Sequence, residues 1–192
     1  MTITITRHKN PTYLGTFTEV SLIPTESLKQ FRRAGVFIRI KRERSMHYLF
    51  TIQMGSISND EFIRDFGGHI EANEHPLTAA LRELQEESLG VFQQYIKFTE
   101  IVNAPVHYVA DNLYMFITLK DVPIGKVISE FNLAKQNLPV DAPDCMKETE
   151  RIVCINRFDI LKKFKQKHHV KDKNVFYGPS LWKTIKAFAF VI

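Results

Sequence analysis

The chain has 192 residues, 44% hydrophobic and 24% charged, with a formal net charge of +5. That length suits one compact domain whose core can stand without disulfides or a structural metal. No apolar run approaches the roughly 20 residues that span a bilayer, and Cys145 and Cys154 have neither the number of a disulfide framework nor the spacing of a zinc site.

Residues 1–9 (MTITITRHK) alternate polar and apolar side chains, which reads as an edge strand and lacks the continuous apolar block of a signal peptide. The protein is therefore expected in the cytoplasm. Residues 35–41 (GVFIRIK) and 48–54 (YLFTIQM) predict two strands joined by a polar hairpin turn at 42–45. Residues 62–66 predict a short strand that runs into a turn at Gly67-Gly68. The clearest helix spans 76–89, with Pro76 in its first turn and Leu77, Leu81 and Leu84 on one face. Strands follow at 95–102, 107–109 and 112–119. Residues 121–144 contain Pro123, Pro139 and Pro143 and read as loop around a short helix at 126–132. A strand at 150–156, a helix at 158–166 and a terminal helix at 181–192 capped by Ser180 complete the reading. These elements predict an α+β fold, an α/β/α sandwich with a mixed sheet and helices on both faces. Residues 1–192 form one domain in this reading: an N-terminal extension with its edge strand over 1–33, a core over 34–166 and a C-terminal helix over 167–192.

Two basic clusters supply the charge excess. One comprises Arg32, Arg33, Arg39, Lys41, Arg42 and Arg44; the other is the lysine run from Lys162 to Lys173. Such clusters favour phosphate-bearing partners, nucleotides or RNA.

The chemistry concentrates on the helix at 76–89. At about 100° per residue, Glu83, Glu86 and Glu87 share one arc, away from the leucines. Three crowded carboxylates need positive charge nearby. Arg82 supplies one charge, and a divalent cation suited to hard oxygen ligands would supply the rest. The full run is Gly68, five residues, Glu74, seven residues, Arg82-Glu83-Leu84, one residue, Glu86-Glu87. This resembles the box of the Nudix hydrolases at every fixed position through Glu87. The family pattern then wants glycine at 89, where this chain has Leu89 followed by Gly90 and Val91. Read as one extra residue before the glycine, this moves the helix end to Gly90, about 1.5 Å further along the axis.

The resemblance implies a pyrophosphohydrolase acting on a nucleoside diphosphate linked to another group. It implies one to three Mg²⁺ or Mn²⁺ ions held by Glu83, Glu86, Glu87 and the Gly67 carbonyl. Arg82 and Glu74 would orient those carboxylates. A further carboxylate outside the box would serve as base, with Glu148 and Glu150 the first candidates and Glu130 and Asp144 their rivals. Tyr48, Phe50, His107, Tyr108 and Tyr114 are candidates to stack on a base. The substrate would be a small nucleotide (ADP-ribose, a dinucleoside polyphosphate or a nucleoside triphosphate) or the 5′ cap of mRNA. The basic exterior is similar to that of decapping members of the family, viral ones included, which for a viral protein would mean the host cytoplasm. The alternative is a catalytically silent Nudix-fold module that binds nucleotide or RNA, although such modules lose box carboxylates and this chain keeps them all. A diphosphate isomerase on the same fold would need a cysteine well upstream of Cys145 and Cys154.

Overall fold

A computed structural model describes residues 12–42, 45–55, 60–160, 175–177, 181, 184 and 185. The predicted edge strand at 1–9, the lysine run from Lys162 and most of the terminal helix lie outside them.

The strands are β1 (Thr12–Thr16), β2 (Arg33–Arg42), β3 (Ser45–Met54), β4 (Glu61–Arg64), β5 (Phe66–His69), β6 (Pro105–Val109), β7 (Asn112–Lys120), β8 (Thr149–Asn156) and β9 (Val175–Tyr177). The helices are α1 (Phe17–Ser21), α2 (Thr25–Leu28), α3 (Pro76–Glu87), α4 (Phe98–Val102), α5 (Ile124–Gln136) and α6 (Asp144–Lys147), with a 3₁₀ turn at Val91–Gln94.

Among the described residues, the nine strands join one mixed sheet. β2 lies at its centre and runs parallel to β7, with Arg33 opposite Asn112 and Lys41 opposite Lys120. Alternation along these strands divides the core in two. Val36, Ile38 and Ile40 of β2 and Leu113, Met115, Ile117 and Leu119 of β7 face one layer, shared with Leu77, Ala80 and Leu84 of α3 and with Phe131 of α5. Phe37 of β2, Tyr48, Phe50 and Ile52 of β3, and Tyr114 and Phe116 of β7 face the other. That second layer is covered by Ile160, Leu181 and Ile185, all in helical segments. Helices on both faces of a mixed sheet are the predicted α+β architecture.

On its other edge β2 has two partners in succession. Its second half pairs with β3, Ile38 opposite Leu49 and Arg42 opposite Ser45. Its first half pairs with β5, Arg33 opposite His69 and Val36 opposite Phe66. β3 meanwhile turns away to pair with β4. The chain thus leaves β3 at Arg64, bends at Asp65 and joins β2 at Phe66. The predicted Gly67-Gly68 turn is therefore corrected: both glycines lie within β5. The missing side chain of Gly67 admits the backbone of β2 and that of Gly68 admits the Glu83 carboxylate; a Gly-Gly pair also reads as a turn in sequence.

α3 begins as predicted. Pro76 occupies its first position and the His75 Nδ1 accepts the Leu77 N–H at 3.2 Å. Its end differs. Ser88 is the cap, and Leu89 follows in the left-handed region at φ +54°. The Leu89 N–H reaches the Glu86 carbonyl at 3.2 Å and the Gly90 N–H reaches the Gln85 carbonyl at 2.8 Å. This is a Schellman closure with leucine at its left-handed position. The helix does not run on to Gly90; Leu89 accepts a backbone conformation that glycine adopts freely, and it packs its side chain on the core in return. Gly90 follows at φ +73°. Gly90→Ala is expected to cost about 1 kcal/mol, lowering Tm by about 2–4 °C in a chain of this size. An unchanged Tm in a thermal melt would contradict that backbone reading.

Two other predicted elements change. Residues 95–102 are not a strand: the Glu100 carboxylate accepts the Lys97 N–H at 2.5 Å and starts α4. This reach-back from the third helical residue outweighs the aromatic and β-branched composition. The predicted short helix at 126–132 extends to the 13 residues of α5, because Val127 and Phe131 bury one turn apart.

Candidate active site

α3 lies against β2 and β5, so its carboxylates reach the backbone of β5 where β2 and β3 diverge. Glu87 is 4% exposed. The sequence places it on one arc with Glu83 and Glu86, and all three line one cavity, but Glu87 is buried because it lies under the fork between β2 and β3. One Glu87 oxygen accepts the Gly67 N–H at 2.8 Å and the other accepts Gln53 Nε2 at 2.5 Å. Burial pushes the Glu87 pKa well above the usual carboxylate range, and the charge of Asp65 adds to it. Burial also raises Glu83 against the opposing pull of Arg82.

Arg82 holds the remaining carboxylates. Its Nη1 donates to Glu83 at 2.9 Å and to Glu86 at 3.1 Å. Its Nε and Nη2 donate to the two oxygens of Glu74 at 3.0 and 3.1 Å, and Nη2 also reaches the His69 carbonyl at 3.0 Å. Glu74 completes the arrangement by accepting the Glu71 N–H at 3.1 Å. Burial opposes ionisation of Glu74, but the Arg82 hydrogen bonds hold it below its ordinary value. Arg82 is thus bonded to Glu74 on one side and to Glu83 and Glu86 on the other.

These groups open onto a cavity of about 630 Å³. Gly67, Gly68, Glu83, Glu86 and Glu87 line it, as do Arg32, Arg33, Arg64, Gln53, His69, Cys145 and Glu148. Of the candidate bases, only Glu148 belongs to this wall. Glu150 is tied to Lys135 at 2.8 Å, Glu130 accepts the Tyr95 hydroxyl at 2.6 Å, and Asp144 pairs with Lys147 at 3.6 Å.

The proposed stacking residues do not meet the cavity. Tyr48, Phe50, Tyr108 and Tyr114 are all 2% exposed or less and belong to the two core layers. His107 is half-buried, edge-on to Phe116. Their aromatic character fills the space between sheet and helices, which is its commoner use. Among the described residues of the wall, His69 carries the one aromatic ring.

Three contributors were not singled out from sequence. Gln53 sits at an inward position of β3. Asp65 is a charged residue at the elbow between β4 and β5, 1% exposed. Arg33, grouped above with a basic cluster, pairs with Asp65 through both guanidinium arms, at 2.7 and 3.1 Å. Asp65 stands beside Arg64 between Ile63 and Phe66, a pattern that in sequence reads as an ordinary exposed pair of charges.

The donor set matches a hard divalent cation in type: carboxylates and one carbonyl, no sulfur or imidazole. A Cβ on Gly68 would lie 2.4–2.5 Å from the Glu83 carboxylate, so the glycine is what lets that carboxylate sit over β5. Among the described residues no three acidic, histidine or cysteine side chains converge on one point. Arg82 binds Glu83 and Glu86 through one nitrogen, and Gln53 binds Glu87.

No family model matches the chain, and no curated protein matches it in sequence. Solved structures of similar shape include a C. elegans Ap4A hydrolase in a binary complex, with a TM-score of 0.43 and 16% identity over 84% of this chain and 100% of that one. A Nudix hydrolase from M. smegmatis, RenU, has a TM-score of 0.41 and 10% identity over 84% and 86%. A mutT/nudix family protein from Listeria innocua has 0.39 and 14% over 83% and 92%. At these values the likeness is one of general architecture.

Proposed function

We propose that the chain is a Mg²⁺- or Mn²⁺-dependent pyrophosphohydrolase of the Nudix type, cleaving a diphosphate linkage in a nucleoside diphosphate derivative. One observation carries this reading: Gly67, Gly68, Arg82, Glu83, Glu86 and Glu87 gather on one cavity wall, with Glu74 hydrogen-bonded to Arg82 behind it. A catalytically silent module has no use for three carboxylates ordered at this cost in charge repulsion.

Glu83, Glu86, Glu87 and the Gly67 carbonyl would hold the cation. Bound there, it would neutralise the diphosphate and make water a stronger nucleophile. Arg82 and Glu74 keep the carboxylates oriented. Arg32, Arg33 and Arg64 on the same wall offset phosphate charge. Glu148, the one candidate base on this wall, would accept a proton from attacking water. The volume accommodates a compact nucleotide. The same chemistry would serve a small nucleotide or the 5′ cap of mRNA, with the basic exterior supporting an RNA path. No helix among the described residues is long and apolar enough to cross a membrane.

The test is direct. Purified protein is incubated with Mg²⁺ or Mn²⁺ and with nucleotides of each class and cap-labelled RNA, and the products are identified. The expected result is cation-dependent release of a nucleoside mono- or diphosphate, abolished by chelator. Full turnover in excess chelator would overturn the cation-dependent mechanism.

A further inference from the structure

The Gly67 carbonyl already has a cationic partner. Arg33 Nη2 donates to it at 2.7 Å. The same guanidinium grips Asp65 and reaches the Tyr114 hydroxyl at 3.4 Å. Burial alone would weaken its charge, but the nearby Asp65 carboxylate more than compensates and holds the Arg33 pKa above its ordinary value. Arg33 is therefore a fixed positive charge, 17% exposed, on the wall of the cavity. It is held by β2, not by the carboxylate helix.

The Gly67 backbone is thus held at both of its polar groups, the N–H by Glu87 and the C=O by Arg33. A carbonyl oxygen can serve two partners, but two cations on one oxygen repel, and they do so more strongly away from bulk water. On the reading proposed above, we infer that Arg33 competes with the divalent cation for the Gly67 carbonyl, and that a diphosphate relieves the competition by offering Arg33 anionic oxygens of its own. Arg33 is then a positioning residue that makes cation binding and substrate binding support each other. Such coupling is reciprocal: each ligand raises the affinity for the other by the same factor.

Removing Arg33 alone would strand the buried Asp65 charge, so the informative variant is the double substitution Arg33→Gln, Asp65→Asn, which removes one charge of each sign. Arg33→Lys is its companion: it keeps a cation on Asp65 but has no second arm for the carbonyl. Free Mn²⁺ is titrated by electron paramagnetic resonance against wild type and both variants, alone and with methylenediphosphonate. Circular dichroism and thermal melts identify which variants are folded.

Wild type is expected to bind Mn²⁺ weakly alone and more tightly with the diphosphonate. Each folded variant is expected to bind Mn²⁺ alone about tenfold more tightly than wild type, and to gain about tenfold less from the diphosphonate. A folded variant whose affinity for Mn²⁺ alone equals or falls below that of wild type overturns the inference, because a merely structural arginine would leave the carbonyl misplaced or unchanged. Wild type that binds no Mn²⁺ under either condition would sink the pyrophosphohydrolase reading itself.

Discussion

Glu87→Gln is expected to lower turnover by roughly 10²-fold or more at saturating Mg²⁺, since cation-centred charge stabilisation is worth several kcal/mol. The fold should survive. Glutamine keeps one oxygen for the Gly67 N–H, and Gln53 can rotate its amide to present oxygen to the new NH₂ group, so both contacts of the native carboxylate are restored. Without metal the variant should be more stable than wild type at neutral pH, by about 1–2 kcal/mol, because it removes a buried charge. The sign follows from the raised pKa. A carboxyl whose folded pKa lies above its unfolded value, about 4.3, contributes stability that is fully present below the unfolded value. That contribution is lost as pH rises through the folded value. Glutamine does not titrate, so the gap in metal-free Tm between variant and wild type should widen from pH 4 to pH 8. A gap that narrows over that range would contradict the burial argument. Wild-type turnover in the variant would instead make the box decorative and favour the binding module. Glu61→Gln is a control for charge removal outside the box; it loses only the partly exposed pairing with Arg151.

The second large effect separates two adjacent glycines. Gly67→Ala should destroy the fold, and Gly68→Ala should spare the fold while removing activity. A Cβ on Gly67 would lie 2.6 Å from both the Ala34 carbonyl oxygen and the Gly35 Cα, which are backbone atoms of β2 in the middle of the sheet. Neither can yield without parting β5 from β2, and a cost of about 3 kcal/mol or more is expected. The atoms nearest a Cβ on Gly68 are those at the end of the Glu83 side chain. Glu83 can swing away at little cost in stability, about 1 kcal/mol, but it then leaves the cavity wall and its hydrogen bond to Arg82. Turnover should fall by roughly 10²-fold. Melting curves and single-turnover rates on both variants decide the matter. A folded and active Gly68→Ala would mean that the Glu83 position is immaterial.

How much of this was legible beforehand depends on range along the chain. Glu83, Glu86 and Glu87 share a helix arc by arithmetic, and Arg82 reaches Glu86 across one turn, so that part of the site could be read from spacing. The strands of the central sheet were legible too, because alternation marks β2 and aromatic and β-branched residues mark β3. Contacts between distant segments were not. Nothing in the string Phe62-Ile63-Arg64-Asp65-Phe66 says that Asp65 marks an elbow between two strands or that Arg33 waits there for it. The burial of Tyr48, Phe50 and Tyr114 depends on what covers that face of the sheet, which no local pattern reveals. The misread strand at 95–102 shows the reverse case, in which one local contact, Lys97 to Glu100, outweighs composition. At the end of α3 the family pattern suggested an inserted residue. The backbone instead places Leu89 where glycine usually stands.

The parallel pairing of β2 with β7 has a consequence for how the molecule assembles. The two strands lie on opposite sides of the whole carboxylate helix in sequence, and parallel neighbours cannot be joined by a tight turn. β2 therefore waits for a distant segment before both its edges are closed. On a ribosome, β5 and α3 emerge first, with their acidic side chains and with no β7 beside β2. Loop closure over that span is paid before the pairing rewards it, which places such chains among the slower folders, in milliseconds to seconds. Until then Arg33 and Asp65 have no Tyr114 beside them. Completion of the site is thus tied to the arrival of a strand that contributes none of its carboxylates.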